Sequence, residues 1–337
     1  MTVRNQLWLL PALTVAAAAC EPTVHWSGPG DAAADVPKPL IDSAPDVVDA
    51  GAPELPEVGL FGSTCLMPNP PASGLPNPAM YDTGIPGTVF DRMTGLMWQR
   101  SPSGTNMSQA AAVTSCKNSK LGGYMDWRLP TLIELVSIVD FTTMSPAVDA
   151  AVFPGMSSNL YWTSTLLVNH PSNAWYINFG TGNSNFVDAN VANLARCVRT
   201  SLNMAGGCFA AGMRFKVDAG VVSDASTGLA WQQNIPTDPM TWSAAKAACA
   251  ALGGRLPSVK ELQTLVDYAM SYPGDAGAPG AAIDPVAFPG APVGSYWTSS
   301  AVSGSTAVVW IVRFDNGDTG TSTVTGTTDT KFVRCVH

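Results

Sequence analysis

Thr94-Gly95-Leu96-Met97-Trp98-Gln99 returns 133 residues later as Thr227-Gly228-Leu229-Ala230-Trp231-Gln232, and Cys116 returns as Cys249 at the same offset. Downstream, Arg128-Leu129-Pro130-Thr131 recurs as Arg255-Leu256-Pro257-Ser258, with Glu134-Leu135 matched by Glu261-Leu262 and Val139-Asp140 by Val266-Asp267. Phe153-Pro154-Gly155 and Tyr161-Trp162-Thr163-Ser164 come back as Phe288-Pro289-Gly290 and Tyr296-Trp297-Thr298-Ser299. Each copy closes on Arg-Cys-Val, at 196–198 and at 334–336. The order never changes, and a period of about 135 residues is domain-sized, well beyond the roughly 20–50 residues of solenoid repeats. The chain is therefore expected to hold two tandem domains, 61–200 and 201–337.

The pattern inside each copy predicts an α+β fold. Val89-Phe90-Asp91 and Leu96-Met97-Trp98 flank a short turn at Gly95, and Val221-Val222 with Leu229-Ala230-Trp231 repeat this around Gly228. Both spacings predict β-hairpins whose glycine supplies a positive φ. Ser108 and Thr241 precede Ala-rich stretches reaching Cys116 and Cys249, as helix N-caps would. A second helix is expected after Thr131 and after Ser258, where a hydroxyl followed three residues later by Glu134 or Glu261 matches the capping box. The two glutamates then serve backbone N–H groups rather than acid–base catalysis, because no second carboxylate recurs beside them. Arg128 and Arg255 are expected to bridge carbonyls or the following carboxylate, with ligand binding as the alternative. Trp175, Ile177 and Phe179 alternate, as do Trp310, Val312 and Phe314, which places each trio on one strand face in the core.

The N-terminus reads differently. Arg4 precedes an apolar run from Leu7 to Ala19 that Pro11 interrupts, too short for the ~20 residues of a membrane-spanning helix but suited to a signal-peptide core. Ala17-Ala18-Ala19-Cys20 resembles a bacterial lipobox, which implies removal of residues 1–19 and lipidation of Cys20. Two acyl chains already give stable anchoring, so the expected partner of Cys20 is a membrane. Residues 20–60 are rich in Pro, Ala, Gly and Asp, with eight acidic side chains against Lys38 alone. This is the composition of a disordered tether, and at ~3.1 Å per residue it would reach about 120 Å at most. The expected location is a bacterial cell envelope, with the outer membrane or cell surface preferred over the inner membrane.

Composition narrows the function classes. Apolar residues make up 46% of the 337 and charged residues 12%, enough to build a core. The net charge of −8 opposes nucleic-acid binding by phosphate attraction. Most of that acidity sits in the tether, since 15 basic and 17 acidic side chains follow residue 60 and leave the body nearly neutral. The histidines are His25, His170 and His337, so no repeated histidine triad or zinc set can be assembled. Asp315-Asn316-Gly317-Asp318 is rich in oxygen ligands, but Asn-Gly between apolar strand residues predicts a hairpin turn rather than a calcium site. No cofactor, metal or catalytic residue is expected, and no ligand-binding residue is assigned.

With Cys20 set aside, six cysteines remain, three per copy: Cys65, Cys116 and Cys197, then Cys208, Cys249 and Cys335. An odd number per copy requires a crossing bridge if all are oxidised. One crossing bridge plus one equivalent bridge inside each copy leaves three of the fifteen possible pairings open.

The ordered set Thr-Gly-Leu-x-Trp-Gln, a Cys-bearing helix, Arg-Leu-Pro-[Ser/Thr]-x-x-Glu-Leu, Tyr-Trp-Thr-Ser and Arg-Cys-Val resembles the Lcl C-terminal domain family. The resemblance appears twice, over roughly 81–200 and 215–337. It implies two C-type lectin-like domains, each with two helices and short antiparallel strands, akin also to formylglycine-generating enzymes. It further implies a disulfide from helix to last strand, which selects Cys116–Cys197 and Cys249–Cys335 and leaves Cys65 with Cys208. By the same resemblance the protein is a bacterial surface adhesion module, non-catalytic, for a glycan or protein ligand. The alternatives are a structural or assembly lipoprotein of an envelope complex and, behind it, an enzyme related to the formylglycine-generating fold. The founding member binds sulfated polysaccharide, for which this near-neutral body lacks a Lys/Arg run. The copies also differ: Asp126-Trp127 precedes the first Arg-Leu-Pro and has no second-copy match. The second copy is read as gaining an insertion around 272–282 and a Thr-rich segment from Thr319 to Thr330.

Overall fold

The computed structural model describes residues 67–200, 214–270, 280–326 and 328–337. The signal segment, the tether, Cys20, Cys65 and Cys208 lie outside the described residues, as does most of the insertion expected around 272–282. The first copy runs β1 (Tyr81–Asp82), β2 (Thr88–Asp91), β3 (Leu96–Gln99), helix α1 (Gln109–Lys117) and helix α2 (Leu132–Ser137). It continues through β4 (Leu160–Leu167), β5 (His170–Asn178), β6 (Ser184–Asp188) and β7 (Val198–Thr200). The second copy repeats the plan as β8 (Phe215–Asp218), β9 (Val221–Asp224), β10 (Ala230–Gln232), α3 (Trp242–Ala251) and α4 (Val259–Gln263), then β11 (Ser295–Ala301), β12 (Val308–Arg313) and β13 (Thr319–Thr323).

Each copy builds two small antiparallel sheets. The first has β1-β2-β3-β7 and β4-β5-β6, the second β10-β9-β8 and β11-β12-β13. Strand β7 returns to pair with β3, Trp98 opposite Val198, and the second copy makes the equivalent contact as a single bridge between Trp231 and Val336. The Thr-rich segment is largely not an addition, and that expectation is corrected. Thr319–Thr323 pairs with β12 in the register that β6 holds against β5, Ile311 opposite Gly320 where the first copy has Tyr176 opposite Asn185. Threonine suits a half-buried strand as well as the Ser, Asn and Phe of β6, so composition hid the equivalence.

Local chemistry explains the elements. Gly95 and Gly228 close their hairpins at φ 68° and 70°, each donating its N–H to an aspartate carbonyl, Asp91 or Asp224. Ser108 and Thr241 cap α1 and α3 by accepting from Ala111 and Ala244. Both capping boxes are complete at α2 and α4. These last two helices are six and five residues long, too short to persist alone, so their stability comes from burial.

One apolar cluster runs through both copies and includes Trp98, Phe153, Tyr161 and Trp175 of the first with Trp231, Phe288, Tyr296 and Trp310 of the second. Two satellite clusters stay private, one around Cys116, Cys197 and Trp162, the other around Cys249, Cys335 and Trp297. All described residues fall in one compact unit. The copies are siblings in topology, yet they are not independent beads.

Candidate functional site

The repeated motifs are scaffolding. Cys116 bonds Cys197 and Cys249 bonds Cys335, each with Cα atoms 5.3 Å apart, joining the first helix of a copy to its closing Arg-Cys-Val segment. Arg128 grips Glu134 through two bonds of 2.7 and 2.6 Å, and Arg255 grips Glu261 at 2.7 and 2.8 Å, so the bidentate pair locks the carboxylate that completes the capping box. The bridge to the following carboxylate is present in both copies, and Arg255 also donates to the Leu256 carbonyl at 3.3 Å. The arginines of the Arg-Cys-Val motifs are wholly interior. Arg196 donates to the carbonyls of Gln99 and Arg100 and lies 5.0 Å from the Phe153 ring. Arg334 donates to those of Gln232 and Gln233 and lies 4.4 Å from Phe288. Burial without an opposing carboxylate pulls both guanidinium groups down to about 10, still cationic at neutral pH. The aromatic trios are core as well, Trp175, Ile177 and Phe179 at 2, 0 and 0% exposure and Trp310, Val312 and Phe314 at 3, 0 and 1%. Asp126 and Trp127, peculiar to the first copy, serve packing too: Asp126 pairs with Arg199, and Trp127 fills the cluster behind the first disulfide.

The two copies meet through equivalent faces. Phe141 meets Trp310 edge to face at 5.1 Å and 74°, and the matching residues with roles exchanged, Tyr268 and Trp175, meet at 5.1 Å and 74°. Ser184 and Thr319 open the equivalent strands β6 and β13 and touch each other, Ser184 N–H donating to Thr319 Oγ1 at 2.9 Å. Residue i of one copy contacts residue j of the other and the reverse, the signature of an isologous twofold contact here realised inside one chain. Glycine is required at its heart. Gly182 and Gly317 hold φ of 97° and 81°, and a Cβ on Gly317 would fall 3.1 Å from the Tyr268 ring and 3.4 Å from Trp175. Tyr268 donates its hydroxyl to the Gly317 carbonyl at 3.1 Å, and Arg313 pairs with Asp318, so the 315–318 stretch is a hairpin turn packed on the interface.

The symmetry breaks at two ionisable groups. Lys260 occupies the helix position held by Ile133 in the first copy, is 3% exposed, and donates from Nζ to the carbonyls of Pro68 and Ser137, both at 2.8 Å. One side chain of the second copy thereby ties the segment before β1 and the end of α2. Burial pulls its ammonium down to about 7, against the opposing pull of Asp140 and Asp91. Asp224, in the second copy, sits in a bidentate pair with Arg214. Its counterpart Asp91 is fully buried, accepts from the Met93 N–H at 2.9 Å, and has Met80 where the second copy has Arg214. Burial raises the Asp91 carboxyl to about 6 in spite of that bond and of the field of Lys260.

Beside Lys260 the interface opens into a cleft of about 490 Å³. One wall is the segment Asn69–Leu75, another is Phe141 and Thr142 of the first copy, a third is Ser258, Val259 and Lys260 at the start of α4, and the fourth is the end of β11 with the loop to Ser305. Ser303 donates to the Thr142 carbonyl at 2.9 Å and holds the two copies together at its rim. Sequence reasoning missed this cleft, because its walls come from four separate stretches. One signal was present: a lysine at an interior helix position where the sibling copy carries isoleucine.

The model of the Lcl C-terminal domain family matches residues 87–199 and again residues 220–337, more than half of the chain. No curated protein matches the chain at a significant level.

Proposed function

Because the chain belongs to the Lcl C-terminal domain family in both halves, we propose that it is a non-catalytic cell-envelope lipoprotein whose paired copies bind a glycan or a surface protein. The observation that carries the proposal is the pair of bridges, Cys116–Cys197 and Cys249–Cys335. Such bonds form and persist in oxidising compartments, which agrees with the export segment and the lipobox-like Ala17-Ala18-Ala19-Cys20. Four cysteines held in bridges are also unavailable as the thiols that a formylglycine-type enzyme would use. The two helices and two small sheets per copy, clasped from first helix to closing segment, support a C-type lectin-like fold. With the repeated side chains spent on caps, bridges and core, recognition falls to loops and to the cleft between the copies.

The test is membrane fractionation of the full chain beside its Cys20→Ala variant, followed by capture of surface glycans and proteins on the detergent-solubilised wild type. The proposal expects wild type in the membrane fraction, loss of lipid labelling in the variant, and a retained glycan or protein. A cytosolic protein with reduced thiols would contradict it. Fixed-stoichiometry co-purification with a membrane complex would instead make the chain a structural component.

A further inference from the structure

We propose that the cleft between the copies is a binding site for an uncharged sugar residue. This rests on the binding-module reading above and deepens it. The volume of about 490 Å³ lies in the range of small-ligand sites. Asn69, 1% exposed, lines it, and while its Nδ2 donates to the Pro76 carbonyl at 2.6 Å, its Oδ1 has no partner among the described residues. That oxygen is closed to solvent, so Asn69 shapes the cleft wall and the groups that face a ligand are the hydroxyls around it.

Three lining hydroxyls supply the polar contacts. Ser73, Ser300 and Ser305 each accept one backbone N–H, from Leu75 at 3.2 Å, Val259 at 3.0 Å and Ala307 at 3.2 Å. Each therefore retains an O–H proton to give. Leu75 and Val302 add apolar wall. A row of hydroxyls beside an aliphatic flank matches a sugar ring, whose hydroxyls both give and accept and whose C–H face is apolar.

The charge of the cleft favours a neutral ligand. Among the described residues no carboxylate lines it, which leaves a cation without a counter-charge. The cationic side chain among the described lining residues, Lys260, already donates to Pro68 and Ser137 and lies in the field of Asp91 and Asp140, so an anionic sulfate would find that charge engaged.

The experiment uses the oxidised full chain in detergent, titrated by calorimetry and ligand-observed NMR. The probes are free D-glucose and N-acetyl-D-glucosamine and the linear trisaccharide of each, which separate a free sugar from a residue within a chain. Beside wild type runs Ala301→Trp, which fills the mouth from an exposed position that gives up no side-chain hydrogen bond. The inference expects at least one probe to bind wild type and to bind A301W about tenfold more weakly or less, with an unchanged melting midpoint. Ser305→Ala, which deletes a single hydroxyl, gives the same readout should A301W not fold. No binding by any probe, or equal binding by wild type and variants, overturns the site. Continued capture of a surface partner by A301W would leave the binding-module proposal standing, so the two failures are distinguishable.

Discussion

Asp91 and Lys260 show what burial does to single charges when duplication is imperfect. Asp91 is held at about 6 in the fold against 3.8 for an ordinary aspartate, so the folded state binds the extra proton between those values. Its contribution to stability is complete below about pH 4 and is lost as pH rises through about 6. Asp91→Asn is accordingly expected to gain about 3 kcal/mol above that window and nothing below it, read from urea melts across pH. Lys260 has the opposite window. Held at about 7 against 10.5, it lets the unfolded chain bind more protons between these values, so stability rises with pH from about 7 to 10.5. Lys260→Met should flatten that slope in the same melts, and an undiminished slope would show that the ammonium is hydrated in the fold. Neither shift was legible in the sequence. A capping box specifies the hydroxyl and the glutamate but leaves the second helical position open, and only alignment with Ile133 marks Lys260 as unusual.

At the scale of elements much was legible, because the signals are local. Hairpin glycines, N-caps and both capping boxes follow from residues within five positions of each other, and the alternating aromatic trios follow from the period of a strand. The bridges needed more, since symmetry left three pairings open and the resemblance chose among them. Their loops are 81 and 86 residues long, for which chain entropy gives about 4–5 kcal/mol each. Replacing Cys116 and Cys197 together by alanine is expected to cost about 4 kcal/mol in denaturant melts, and replacing Cys249 and Cys335 the same within about 1 kcal/mol. A much smaller loss in one copy would mean that its bridge strains the fold or that its unfolded chain is already compact. What stayed hidden were residues facing a partner in the other copy. Trp175 reads as core, but nothing near it in the chain says that it packs on Tyr268 of the other copy.

At the scale of the molecule, the exchange of equivalent aromatic pairs makes the two copies one structure. An apolar face that a single copy would expose is covered by its sibling, which is how a homodimer is built, except that here the partner is covalently attached. Small departures from symmetry were then free to accumulate: a lysine for an isoleucine at the seam, a methionine for an arginine beside Asp91, and the segment at Asn69 laid against α4. The cleft exists only because both copies and that segment meet. If the shared core governs stability, neither copy melts without the other. Differential scanning calorimetry of the oxidised full chain measures this most directly. A single transition whose calorimetric and van't Hoff enthalpies agree is the predicted result, and two resolved transitions, one per copy, would contradict the account.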